Sequence, residues 1–147
     1  MIKSRWGLAA AAVAMFAAGF GVRGAMTPEV VHAQTTNRVF ELRTYTTPPG
    51  KLEALKTRFR DHTIRLFERH GMTNIGYWIP MDAPNSENTL IYILAHASRE
   101  AAEKSWAAFR ADPEWQKVAK ESQKDGPLTS KRPDSVFLNP ADFSKIK

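Results

Sequence analysis

The chain has 147 residues, a formal net charge of +6 and no cysteine. Without cysteine it has no disulfides, no thiolate metal sites and no cysteine nucleophile, and a lipid-anchored mature N-terminus is excluded. The charges are interleaved along helices, as in Lys51, Glu53, Lys56, Arg58, Arg60 and Asp61. No basic stripe with interleaved aromatics stands out, so nucleic acid is not an expected partner.

Lys3 and Arg5 precede an apolar, alanine-rich run from Trp6 to Val22. The run is short for a membrane span and has the layout of an export signal. Val31 and Ala33 suit the cleavage positions, which places the cut after Ala33. Residues 1–33 are therefore expected to be a signal peptide, and 34–147 one folded domain of a periplasmic or secreted protein with no stable membrane span after cleavage. An uncleaved leader would instead tether the protein to the membrane. No two arginines are adjacent in the leader, so a twin-arginine route is not indicated. Cleavage removes Lys3, Arg5, Arg23 and Glu29, leaving 18 basic and 14 acidic residues.

Val39 to Thr46 alternates as a strand, with Phe40, Leu42 and Thr44 on one face and Glu41, Arg43 and Tyr45 on the other. Thr47-Pro48-Pro49-Gly50 breaks it. Lys51 to His70 is predicted as one helix, because Leu52, Leu55, Phe59, Thr63, Leu66 and Phe67 form one apolar face, and Gly71 stops it. Met72 to Pro80 is a second strand, with Ile75, Tyr77 and Ile79 opposite Trp78. After a polar, proline-containing connection, Thr89 to Ala95 is a third strand, apolar on both faces and hence central. Ser98 caps a helix from Arg99 to Arg110, Asp112-Pro113-Glu114 starts another that runs to about Ser122, and Ser135 to Leu138 is the last strand.

This order predicts an α+β fold: a ferredoxin-like βαββαβ sheet with two helices on one face, and the first and third strands in the centre. Two helices cover only one side, yet the third strand is apolar on both. Sheet-to-sheet packing of two copies would cover the other side, so a homodimer is expected.

The residues Phe40-Glu41-Leu42-Arg43-Thr44-Tyr45, Pro49-Gly50-Lys51-Leu52, His70-Gly71, Gly76-Tyr77-Trp78 and Asp112-Pro113-Glu114-Trp115 resemble the NIPSNAP family over roughly residues 38–140. The resemblance implies a dimeric α+β barrel. It implies no established activity and no cofactor, and the wider barrel superfamily, which includes cofactor-free monooxygenases, is a fold-level analogy.

Glu41, Arg43 and Tyr45 are expected to point away from the helices. There Glu41 and Arg43 either pair to set dimer register or form the polar end of a pocket, with Arg43 holding a carboxylate. Tyr77 and Tyr92 are candidates to line that pocket around a flat organic ligand. His62, at the flank of the apolar stripe, is the candidate proton-transfer residue; its bland alternative is a hydrogen-bonded edge histidine. His70 reads as a helix-terminal cation, and the direction of His96 is open. No metal-ligand cluster, phosphate loop or nucleophile elbow is present, so no metal site is expected. The expected function is binding of a small organic ligand, an anionic one if Arg43 holds it. The alternatives are a cofactor-independent monooxygenase- or isomerase-type enzyme using Arg43 and His62 or a tyrosine, and a non-catalytic structural module.

Overall fold

The structure is a computed structural model that describes residues 38–147. The expected leader lies outside the described residues. Strand β1 spans Val39–Thr46, β2 Thr73–Trp78, β3 Thr89–His96 and β4 Asp134–Leu138. They form one antiparallel sheet in the order β2-β3-β1-β4, so the first and third strands are central as expected. Helices α1 (Leu52–Arg58) and α2 (Ile64–Arg69) precede β2, and α3 (Arg99–Ala111) and α4 (Pro113–Ser122) precede β4. No helix among the described residues is long and apolar enough to cross a membrane.

Local chemistry sets the helix boundaries. Ser98 Oγ accepts from the Ala101 amide at the start of α3. Asp112 Oδ1 accepts from the Glu114 amide at the start of α4, whose first residue is Pro113. Asp112 Oδ2 also accepts from His70 Nε2 at 2.7 Å, joining the end of α2 to the α3–α4 corner. Gly71 takes a left-handed φ of 75° after α2, as a helix stop requires.

The long helix predicted over Lys51–His70 is interrupted. Phe59–Thr63 is a π-helical turn between α1 and α2. Ile64 N–H bonds to Phe59 O, five residues back, and Thr63 Oγ1 donates to Arg58 O at 3.1 Å. The widened turn puts Thr63 inside and His62 in solvent.

The core lies between the helices and one sheet face. Its centre is aromatic: Phe59 meets Tyr45, Tyr77, Tyr92 and Phe67, and Phe67 meets Trp106 and Phe109, mostly edge-to-face or tilted. Each such pair contributes about 0.5–1.5 kcal/mol beyond area burial. Leu55, Leu66 and Leu94 are fully buried around it.

The two faces of β1 are reversed relative to expectation. Arg43 pairs with Tyr92 across the ladder, and Tyr92 is sealed against Phe59 and Phe67 from the helices. Glu41, Arg43 and Tyr45 therefore point towards the helices. Phe40, Leu42 and Thr44 point to the uncovered face, in register with Ile91, Ile93, Val136 and Leu138. Alternation separates the two sets of side chains but does not say which set the helices cover. Here the helices bring enough aromatic volume to fill their side, and Trp106 brings a donor for Glu41. On the uncovered face Trp78, Val136 and Leu138 remain 49%, 52% and 38% exposed. The Trp78 ring folds over Gly76, where an added Cβ would sit 2.7 Å from it. Of the β2 aromatics, Trp78 thus joins the open face and Tyr77 the core.

Candidate functional site

Glu41 is the most constrained polar group of the domain. Its carboxylate is 1% exposed and takes hydrogen bonds from four side chains on four elements. Arg43 Nη1 (2.7 Å) and Ser135 Oγ (2.6 Å) donate to Oε1, and Trp106 Nε1 (2.7 Å) and His96 Nε2 (3.2 Å) to Oε2. Burial works against the charge, but the donors His96, Ser135, Trp106 and Arg43 outweigh it and hold the carboxyl at about 2. An ionised carboxylate only accepts, so His96 Nε2 carries the hydrogen in this contact. His96 Nδ1 is buried without a partner.

Arg43 lies flat on Trp106, its guanidinium carbon 4.4 Å from the ring centroid. Burial opposes its charge, yet the Tyr92 and Tyr45 hydroxyls and Glu41 keep its pKa above the ordinary value. Tyr92 donates to the Tyr45 hydroxyl at 3.3 Å and stacks on Tyr77 at 5.3 Å. Burial pushes both Tyr92 and Tyr77 above the ordinary phenol range.

Glu41, Arg43 and Tyr45 line a cleft of about 560 Å³ between the β1–β4 edge of the sheet and α3. Trp106, Phe109, Trp115 and Phe137 supply its apolar wall. Arg99, Arg110 and Arg132 stand around it with no ion-pair partner among the described residues. Arg99 covers the Phe137 ring at 4.2 Å. Four arginines thus face two carboxylates, Glu41 and Glu103, and Glu41 is already bonded to Arg43.

The other predicted residues go elsewhere. Tyr92 is fully buried behind Tyr45 and lines none of the three clefts described. Tyr77 borders a smaller cleft of about 250 Å³ beside Lys56, Arg60 and Trp78, and donates to Asn74. His62 lines a third, outer groove between α1 and α4, so it cannot act on a ligand held by Arg43. The reading of Glu41 and Arg43 as a dimer-register pair also fails, because both lie on the helix side. Among the described residues no group of three or more His, Asp or Glu side chains is placed to hold a metal.

Missed at the sequence level were His96, Trp106 and Ser135 as Glu41 ligands, the rim arginines Arg99, Arg110 and Arg132, and Arg58. Arg58 sits on the flank of the apolar stripe, 7% exposed, with its charge beneath Trp115. Burial lowers its pKa, partly offset by the Tyr45 and Tyr92 hydroxyls. Its position one residue before Phe59 was the available signal; the π turn that buries it was not visible in the pattern.

The NIPSNAP family model matches residues 40–145. The chain belongs to the NIPSNAP family. A NIPSNAP family protein of unknown function from Agrobacterium tumefaciens is 24% identical with a TM-score of 0.65, covering 80% of this chain and 100% of its own. An uncharacterised NIPSNAP-like domain protein from Burkholderia xenovorans is 23% identical with a TM-score of 0.64, covering 74% and 90%. A Nitrosomonas europaea protein assigned to antibiotic biosynthesis monooxygenases is 15% identical with a TM-score of 0.50, covering 74% and 94%, a likeness of fold alone. No curated protein matches. The NIPSNAP domain thus has the ferredoxin-like α+β fold that the element order predicts.

The Glu41 network gives the domain an acid limit. A carboxyl depressed from its ordinary 4.5 to about 2 contributes stability that is fully present above pH 4.5. That contribution, on the order of 3 kcal/mol, is lost as pH falls from about 4.5 to about 2. Urea unfolding at pH 6, 4 and 3 is expected to show this decline, and Glu41→Gln is expected to flatten it. A Glu41→Gln profile as steep as wild type would show that other carboxyls set the limit.

Proposed function

We propose that this NIPSNAP protein binds a small organic anion with an aromatic or apolar body in the cleft between β1–β4 and α3. The observation that carries the reading is the charge balance of that cleft. Arg99, Arg110 and Arg132 converge on a wall of Trp106, Trp115 and Phe137 while the deepest carboxylate, Glu41, is already bonded. A volume of about 560 Å³ suits such a ligand. Exposed arginines would meet the carboxylate in bidentate fashion and the rings would stack on its body. Binding is favoured over catalysis. Burial pushes the Tyr77 and Tyr92 hydroxyls away from neutral pH, His62 opens on another groove, and His96 is buried against Glu41 and does not line the cleft.

Tryptophan fluorescence should titrate saturably with 2-naphthoate. The neutral analogue 2-naphthol should bind at least about tenfold more weakly, a difference of about 1.4 kcal/mol. The Arg99→Ala/Arg132→Ala double variant should lose naphthoate affinity by a similar factor. Equal binding of acid and alcohol, or an unaffected double variant, would remove the anion site.

The uncovered sheet face supports a homodimer in which two such faces pack together. Trp78, Val136 and Leu138 are exposed on this face and the half-buried Leu42, Ile91 and Ile93 lie between them, an apolar patch that water-exposed monomers avoid. Sedimentation velocity of the mature chain at micromolar concentration should give the dimer mass, and Leu42→Glu the monomer. A wild-type monomer under those conditions counts against the interface. The charged start, apolar run and Val31–Ala33 site support export with cleavage after Ala33. Intact-mass analysis of protein recovered from a bacterial periplasm should show a chain beginning at Gln34, and a full-length mass there would favour the anchored form.

A further inference from the structure

The Arg43 cleft does not account for Arg58. Arg58 is 7% exposed as a residue, its Nε is fully buried, and no carboxylate among the described residues lies within ion-pair distance of it. Its one side-chain hydrogen bond, to Ser122 Oγ, is at the 3.5 Å limit, and its Nε is buried without a partner. What does face it is weak. The Trp115 ring lies 5.3 Å away, and Ser122 marks the C-terminal end of α4, whose dipole amounts to about half an elementary charge. Arginine does not shed its proton to escape such a site. An uncompensated buried cation is costly, so the site lacks a counter-charge.

Arg58 lines the outer groove of about 610 Å³ between α1 and α4. On the α4 side of that groove stand Lys117, Glu121, Lys124 and Asp125, while Glu114 is occupied by Arg65 and Arg69. Its three cations, Arg58 included, equal its three carboxylates in number, but none of those carboxylates reaches Arg58, and Glu114 is held by arginines outside the groove. Ala54, Val118 and the His62 edge complete its wall.

We propose that this groove is a second ligand site, specific for a small monocarboxylate whose charge is met by Arg58. It is separate from the β1–β4 cleft and does not depend on the reading of that cleft. The carboxylate enters from the solvent side of α1, with Lys117 at the rim and Arg58 at the base.

The test uses acetate and benzoate on the purified protein, with chloride at matched ionic strength. The Arg58 Nε–H NMR signal should shift saturably with either carboxylate and not with chloride. The shift should persist in Arg99→Ala/Arg132→Ala, which lacks the other cationic rim. Arg58→Met should lose binding at the groove by at least about tenfold, and Lys117→Glu, at an exposed position, should weaken it several-fold. In buffer poor in carboxylates, Arg58→Met should unfold at the same temperature as wild type or higher, because it removes an uncompensated charge. The proposal is overturned if chloride reproduces the shift or if Lys117→Glu leaves it unchanged. It is overturned equally if Arg58→Met is less stable than wild type in carboxylate-poor buffer, which would make the cation a satisfied structural element.

Discussion

The buried carboxylate of Glu41 is the interaction on which the domain's interior depends. Its four donors come from β1 itself, the end of β3, the middle of α3 and β4. Among the described residues, no other side-chain carboxylate ties the sheet centre to its edge strand and to a helix at once. A carboxylate at 1% exposure is tolerable only because its oxygens are met by donors, two of them from cationic or cation-capable side chains. Removing any donor would leave part of that charge unmet. The same network positions Arg43: held to Glu41 at one end and flat on Trp106, it has little freedom to swing.

The two buried arginines make an instructive contrast. Arg43 has a carboxylate at 2.7 Å, and its charge is an element of the fold. Arg58 has an aromatic ring, a distant hydroxyl and the end of a helix. Burial opposes the charge of both, and only Arg43 has a carboxylate to offset it. The Nε of each is buried without a partner, so the difference lies in the counter-charge, which Arg43 has within the fold and Arg58 lacks. The exposed arginines around Arg43, not Arg43 alone, give the β1–β4 cleft its positive character.

The π turn at Phe59–Thr63 links these features. It seats Phe59 at the centre of the aromatic cluster, buries Arg58 beside it and turns His62 outward. An uninterrupted α-helix would give the three side chains a different set of directions. The extra residue in the turn is therefore what separates the outer groove from the core and places a cation at the groove's base.

The sequence by itself determined the element order, most boundaries and the topology. Val39–Thr46 alternates, Ser98 and Asp112 cap, and Pro113 and Gly71 punctuate, each by local chemistry that acts within a few residues. The apolar third strand placed itself in the centre, and the motifs placed the chain among NIPSNAP proteins. Part of the candidate site was legible as well: Glu41, Arg43 and Tyr45 do share one cleft. Tertiary structure alone decided which side of the sheet they face. A period of two is symmetric, and only the helices' aromatic volume and the Trp106 donor break that symmetry. Tertiary structure also decided that His96 and Ser135, 55 and 94 residues away, complete the Glu41 site. It decided too that His62 and Arg43 never meet. Those outcomes rest on contacts between distant segments and on one extra residue in a helical turn, neither of which leaves a periodic trace.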